Sequence, residues 1–229
     1  MTAIAIDGPA GAGKSTIARR AAKKLGFIYV DTGAMYRAIG FFMLNHGVEP
    51  GNAEAVVPLL NEVRVTIAFR RGEQRVLLCG EDISEQIRTP EVSMAASDVS
   101  AIPAVREFLL SLQRGLAEEK SVVMDGRDIG TVVLPNAQIK IFLTASPEER
   151  AKRRYEELLQ KGTDAKYDEV LADLIARDYQ DSHRAVAPLV PAPGAVIVDT
   201  TGNTLEQSVE QLTGLIVSRL STCSHQGEK

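Results

Sequence analysis

Residues 8–15, Gly-Pro-Ala-Gly-Ala-Gly-Lys-Ser, constrain this chain more than any other stretch. They follow a wholly apolar run, Ala3-Ile4-Ala5-Ile6, which reads as a strand buried on both faces. Behind them Ile17, Ala18, Ala21, Ala22 and Leu25 recur at three- and four-residue spacing, a helix face that Gly26 closes. The spacing G-x-x-x-x-G-K-[ST] lets a backbone turn inward around an anion, with its N–H groups and the positive end of the helix dipole aimed at the charge. Gly8, Pro9, Ala10, Gly11, Ala12 and Gly13 then cradle phosphates, with Thr16 beside them. Lys14 reaches the β- and γ-phosphates, and the Ser15 hydroxyl ligates Mg²⁺. A nucleoside triphosphate with Mg²⁺ is the predicted ligand.

The rest of the pattern predicts an α/β fold. Phe27–Val30, Val122–Met124, Ile139–Leu143 and Ala195–Val198 are further apolar strand-like runs, interleaved with helical periodicity. With the first run they make a five-stranded parallel sheet of the P-loop NTPase type, with helices on both faces. Residues 63–79 differ. Val63, Val65, Ile67 and Phe69 alternate with more polar neighbours, Gly72 sits in a turn, and Val76–Leu78 return, which predicts an inserted antiparallel hairpin. Pro103 opens a helix striped by Val105, Phe108, Leu109, Leu112 and Leu116. Ser146-Pro147-Glu148-Glu149 reads as a capping box, and Thr204–Gln207 caps a last helix. Cys79 is expected in the hairpin's core, Asp199–Gly202 as a plain turn, and 221–229 as a frayed tail.

Composition narrows the function classes. Lys plus Arg is 26 against 30 Asp plus Glu, a formal charge of −4, so the basic footprint of a nucleic-acid binder or a membrane-surface binder is absent. Cys79 and Cys223 with His46, His183 and His225 make no Cys/His zinc spacing or disulfide framework. No apolar run reaches the roughly 18 residues of a membrane span. A cytoplasmic monomer is the expectation. A GTPase switch would carry N-K-x-D as a guanine reader, and this sequence has none.

Ligands of open parallel sheets bind beyond the strands' carboxyl ends, so residues just after strands are the ones to read. Three constellations there suit an anionic, hydroxyl-bearing second substrate. Asp31-Thr32-Gly33-Ala34-Met35-Tyr36-Arg37 offers a helix cap in Thr32 and an arginine in Arg37. Asp125-Gly126-Arg127-Asp128-Ile129-Gly130 sets an arginine between carboxylates and glycines. Arg177, Asp181 and Arg184 lie four and seven residues apart, on one helical face. Arg150, Arg153 and Arg154 form a further cluster, for which pairing with Glu149 and Glu157 in a charged face is the plainer reading.

The chain resembles the bacterial cytidylate kinases over nearly its whole length. The resemblance rests on IDGPAGAGKST (6–16), DTGAMYR (31–37), GEDIS and IRTPEV (80–92), DGRDIGTVV (125–133), KIFLTAS (140–146), ERAKRR (149–154) and RDYQDSHRAVAPL (177–189). It implies phosphoryl transfer from ATP to CMP or dCMP with Mg²⁺. It also implies three parts. These are a P-loop core (1–30, 119–146 and 185–220), a nucleoside-monophosphate-binding insert (31–118, hairpin included) and a helical lid (147–184). By the same resemblance Arg37, Arg127 and Arg184 hold the CMP phosphate, and Arg177 and Asp181 contact the sugar. Ser97, Arg106 and Asp128 read the cytosine, and Thr32 stands where many relatives have serine. Lys14, Arg127, Arg150 and Arg154 act on the transferred group, and Arg153 belongs with ATP; apart from the resemblance, Asp125 at the end of its strand is a candidate outer-sphere Mg²⁺ partner. Another acceptor (UMP, shikimate, dephospho-CoA) and a non-catalytic nucleotide switch remain the competing readings.

Overall fold

The computed structural model describes residues 1–160 and 162–226, with side chains described as far as Thr222. In chain order the elements are β1 (Ala3–Asp7), α1 (Lys14–Leu25), β2 (Ile28–Asp31), α2 (Gly33–Asn45), α3 (Ala53–Leu59), β3 (Val65–Arg70), β4 (Glu73–Leu78) and β5 (Glu81–Asp82). There follow α4 (Pro90–Ser100), α5 (Pro103–Glu119), β6 (Val122–Gly126), β7 (Ile139–Thr144), α6 (Pro147–Gln160), α7 (Tyr167–His183), β8 (Val196–Asp199) and α8 (Leu205–Gln226). A single turn of π-helix over Ile129–Val133 follows β6.

The five apolar runs form one parallel sheet in the order β2-β6-β1-β7-β8. Side chains on a strand alternate between faces, so one strand feeds two cores. Ile4 and Ile6 of β1 pack with Ile17, Ala18 and Ala21 of α1 and with Val209, Leu212 and Ile216 of α8. Ala5, together with Val122 and Met124 of β6, faces Met35, Ile39 and Met43 of α2 and Val105 and Leu109 of α5. Register sets Asp7 beside Gly126, and Asp31 beside Asp125. Three aspartates at the carboxyl ends of neighbouring strands therefore lie within one residue of level at one end of the sheet.

The hairpin is present, with Arg71 and Gly72 at φ 53° and 80° in a two-residue turn whose twist suits antiparallel strands. Two of its features differ from expectation. The pair β3–β4 gains a third strand in β5. Cys79 is exposed, not core, because it sits past the end of β4 at φ 50° and its backbone N–H donates to the Arg64 carbonyl. Val76, Leu78, Ile83 and Ile87 join the same buried cluster as Met124 and Leu109, so the insert shares the core of the main sheet.

Two helix termini also depart from the sequence reading. The Ser146 hydroxyl caps the Glu149 N–H at 3.2 Å, but the Glu149 carboxylate turns to Arg153, so only half of that capping box forms. The box at Thr204 and Gln207 is complete in both directions. Helix α8 runs through the expected tail to Gln226, with Ser221 and Thr222 hydroxyls bonding back to carbonyls four residues earlier. Residues 227–229, and the side chains of Cys223 and His225, lie outside what is described. Among the described residues no helix is long and apolar enough to cross a membrane.

Leu109 is fully buried between α5 and the sheet. Leu109→Ala is expected to cost about 2–5 kcal/mol through lost contact and a residual cavity. Urea unfolding should show a lower midpoint at an unchanged m-value.

Candidate active site

The glycine-rich loop between β1 and α1 is shaped by close approach. Gly8 has φ 150°, and a Cβ there would lie 1.9 Å from the Leu143 carbonyl oxygen of the neighbouring strand. Lys14 opens α1, is 6% exposed, and donates from Nζ to the Pro9 carbonyl at 2.7 Å, which holds the amine across the mouth of the loop. Burial and the nearby Arg127 lower it to about 7, against the pull of Asp125. The Ser15 hydroxyl donates to Asp125 Oδ2 at 2.9 Å, and the Tyr29 hydroxyl donates to Asp125 Oδ1 at 2.9 Å. Burial, with Asp31 beside it, raises the Asp125 carboxyl to about 6. An alcohol and a carboxylate side by side are a hard oxygen donor pair, the kind that suits Mg²⁺ with phosphate oxygens and water completing its shell.

The three constellations meet opposite this loop. Asp181, on α7, accepts from Arg127 Nε at 2.9 Å and lies 3.8 Å from Arg184 Nη1. Asp128 pairs with Arg106 and lies 3.9 Å from Arg184 Nη2. Although burial opposes its charge, Arg127 and Arg177 hold the Asp181 carboxyl below the usual carboxylate range. Arg184 is already off the helix, as the C-cap of α7, and its Nε donates to the carbonyl of Ala187, held at φ 52°. Buried without a hydrogen-bond partner are Arg37 Nε, Arg177 Nε and Arg184 Nη2. Burial and Arg127 lower Arg177 to about 10. A buried donor left unpaired is costly, so these nitrogens mark where an anion is wanted.

At the first constellation the structure corrects the cap. Thr32 donates its hydroxyl to the Asp125 carbonyl at 2.8 Å and does not cap α2. Asp31 does so, accepting from the Ala34 N–H at 3.0 Å while its other oxygen holds Arg37 at 2.7 Å. Gly126 explains the swap: a Cβ there would stand 2.7 Å from Thr32 Oγ1, so the threonine is drawn against the β6 backbone. Asp31 is in turn gripped by Gln74 of β4, which bonds both its N–H and its carbonyl.

A cleft of about 840 Å³ joins the two halves. Lining it are Lys14, Ser15, Thr16, Thr32, Arg37, Ser97, Arg106, Asp125, Arg127, Asp128, Arg153, Arg154, Arg177, Asp181 and Arg184, together with Ala10, Gly11 and Gly13 of the loop. Gly8, Pro9 and Ala12 of the loop do not line it, and among the charged candidates Arg150 is the exception. It is 3% exposed, donates to the carbonyls of Ala145 and Ala10, and pairs with Asp178 at 2.6 Å. Its guanidinium is used up tying α6 to the loop and to α7, which corrects its expected place among the groups that face the transferred phosphoryl. Arg153 and Arg154 face the cleft yet also pair with Glu149 and Glu157, the plainer reading of that cluster.

Tyr36, whose ring lies 5.5 Å under the Arg106 guanidinium, and Arg88 also line the cleft. Neither is singled out by sequence pattern, although each stands within a stretch on which the resemblance rests. The same holds for Gln180, which accepts from the Ser97 hydroxyl at 3.4 Å.

Comparison with known proteins identifies the family. The family model described as cytidylate kinase matches residues 4–218. The chain is 54% identical over 209 residues to a cytidylate kinase of Caldanaerobacter subterraneus subsp. tengcongensis, covering 91% of this chain and 92% of that protein. It is 52% identical over 212 residues to one of Caldicellulosiruptor saccharolyticus, covering 93% and 94%. Among solved structures, a gluconokinase from Sinorhizobium meliloti 1021 matches with a TM-score of 0.51 at 14% identity, covering 100% of this chain and 98% of that one. That likeness speaks for the fold alone.

If Arg150 is a tie, Arg150→Ala breaks a buried pair and should destabilise by about 3–5 kcal/mol, read as a fall in the urea midpoint. A variant with an unmoved midpoint and a collapsed kcat would return Arg150 to the phosphate-facing group.

Proposed function

This chain belongs to the cytidylate kinase family, and on that basis we infer that it transfers the γ-phosphoryl group of ATP to CMP, giving ADP and CDP, and that dCMP is a second acceptor. The observation that carries the residue assignments is the set of unpartnered guanidinium nitrogens on Arg37, Arg177 and Arg184, gathered in the same cleft as the phosphate loop.

The nucleophile is an oxygen of a phosphate monoester. Its second pKa is about 6, so the oxygen is already anionic at neutral pH and needs no general base. The barrier comes from repulsion between two anions and from charge spread over the transferred group. Arg37, Arg127 and Arg184 meet the first demand by holding the CMP phosphate. Lys14, the loop N–H groups and Arg154 meet the second, with Arg153 on the ATP side. The donor's phosphates, entering beside Lys14, favour its charged form and reverse the effect of burial.

Ser15 and Asp125 would hold Mg²⁺ between them, the serine directly and the carboxylate in the outer sphere. The ion supplies charge neutralisation on the donor phosphates when bound.

For the base, cytosine presents a 4-amino donor beside its N3 and O2 acceptors. Asp128 accepts from the amine and Arg106 donates to the acceptor edge, which their buried pairing supports by presenting both groups together. Ser97 completes the base contacts, and Arg177 with Asp181 take the sugar. Thr32, against the β6 backbone, lines the acceptor side.

Residues 1–30, 119–146 and 185–220 then act as the frame, 31–118 as the acceptor-binding insert and 147–184 as the lid. Closure of the lid excludes water from a reactive phosphoryl group. We place the enzyme in the cytoplasm as a monomer. The exposed thiol of Cys79 suits a reducing compartment, and the acidic net charge gives nucleic acid or a membrane surface no footing.

A coupled assay with ATP, Mg²⁺ and a panel of acceptors tests this reading. CMP and dCMP should turn over well above UMP, AMP, shikimate and dephospho-CoA, and absence of any CDP would overturn it. Arg127→Ala should lower kcat by at least about 10²-fold, the scale of losing one transition-state donor. Asp128→Ala should shrink the CMP-to-UMP ratio of kcat/KM, since uracil sets an oxygen where cytosine carries the amine. A buried mismatch of that kind costs about 1–3 kcal/mol.

A further inference from the structure

Asp7 ends β1, immediately before Gly8, and is 2% exposed. Its carboxylate bonds to backbone, with the charges of Lys14 and Asp128 close enough to act on it. Its two oxygens accept from two successive backbone amides across the sheet, Oδ1 from the Ile129 N–H at 2.7 Å and Oδ2 from the Gly130 N–H at 2.8 Å. Those amides open the π-helical turn Ile129–Val133. Its wide bonds run from Val133 N–H to the Asp128 carbonyl at 3.2 Å, and from Leu134 N–H to the Ile129 carbonyl at 2.7 Å.

The far end of the turn is held too. Arg114 of α5 donates from Nε to the Val133 carbonyl and from Nη2 to the Val132 carbonyl, each at 3.0 Å. A carboxylate thus sits on the amide end of the turn and a guanidinium on its carbonyl end, each complementing the local backbone dipole.

What lies between the sheet and this turn is short. Gly126 is the last residue of β6, Ile129 is the first of the turn, and only Arg127 and Asp128 separate them. Asp128 has φ −142° and ψ 26°, outside helix and strand, so no regular element fixes its direction. The sheet register anchors one side of the pair, and Asp7 with Arg114 anchor the other. The fit at Asp7 is close, since a Cβ on Gly130 would come 3.3 Å from Asp7 Oδ2. Burial raises the Asp7 carboxyl to about 6, with the two amide bonds working against that rise. A desolvated carboxylate is a costly way to satisfy two amides, and what it secures is a fixed direction for the residues that precede them.

We propose that Asp7 and Arg114 are positioning residues that clamp the π-turn after β6, and that this clamp aims Arg127 and Asp128 at the phosphate and base of the acceptor. The proposal rests on the roles inferred for Arg127 and Asp128 in the proposed function. It ties the strand that carries the donor loop to the segment that reads the acceptor.

The test compares Asp7→Asn with wild type, and with Arg114→Ala where the first variant does not fold. Arg114 is exposed, and water can reach part of what it leaves behind. Initial rates are measured over CMP, UMP and ATP concentrations, and the Kd for a fluorescent ATP analogue is measured alongside. A misaimed pair should raise KM for CMP at least about fivefold and shrink the CMP-to-UMP ratio of kcat/KM at least about threefold, with the analogue's Kd within about twofold of wild type.

A clamp that only supports the fold would lower the melting temperature and leave both the KM for CMP and the base ratio within about twofold, and that result overturns the proposal. Equal weakening toward donor and acceptor overturns it as well. Wild-type enzyme that makes no CDP would instead defeat the underlying functional reading, so the two failures are distinguishable.

Discussion

The architecture of the cleft depends on one electrostatic arrangement, a lattice of buried carboxylates set between arginines. Asp181 lies between Arg127 and Arg184, and Asp128 between Arg106 and Arg184. Guanidinium groups gathered in a half-desolvated space repel one another strongly, because the medium between them screens poorly. Two aspartates interleaved among them make the cluster tolerable without cancelling it. Arg37 Nε, Arg177 Nε and Arg184 Nη2 still lack a hydrogen bond, although Arg37 stands beside Asp31 and Arg184 beside Asp128 and Asp181, and these nitrogens are the donors left to an anion. A chain with a formal charge of −4 can therefore hold a strongly cationic site.

The frame beneath this lattice is the parallel sheet, whose register brings Asp7, Asp31 and Asp125 to one end. Each of these carboxylates does a different job. Asp125 accepts from Ser15 and Tyr29 at the donor side. Asp31 caps α2 and steadies Arg37. Asp7 accepts two amides of the π-turn. Their environments separate them. Burial raises Asp125 and Asp7 to about 6, whereas at Asp31 burial is outweighed only by Arg37, the Ala34 amide and Arg88 acting together, which keep the carboxyl low. Arg150 ties the phosphate loop to α6 and α7, linking Ala10, Ala145 and Asp178.

Much of this is legible in the amino-acid sequence. The strand, loop and helix around Gly8–Ser15 follow from local pattern, and so do the two-face burial of the strands and the hairpin turn at Gly72. Of the candidate site residues, the three constellations do converge on one cleft. Other assignments are not legible there, for physical reasons. Thr32 and Asp31 are both good caps by type, and the choice between them is made by the bare backbone at Gly126, across a strand pairing. Arg150, Arg153 and Arg154 look alike in sequence. One helical turn separates the side chain that is swallowed by three partners from those that reach the cleft. Cys79 is out of step with Val76 and Leu78, whose side chains face the core, and the strand ends one residue before it.

Neighbouring residues alone were enough to set the elements, the phosphate loop and the chemical character of the second site, because helix and strand periodicity, glycine spacing and residue type all act over a few positions. Which charged group answers which was settled by packing between distant parts of the chain. The π-turn, the clamp of Asp7 and Arg114 on it, and the partition of arginines between scaffold and cleft all depend on contacts between residues tens of positions apart. No local pattern encodes them, since a carboxylate or guanidinium takes its role from the atoms that burial brings within hydrogen-bond reach.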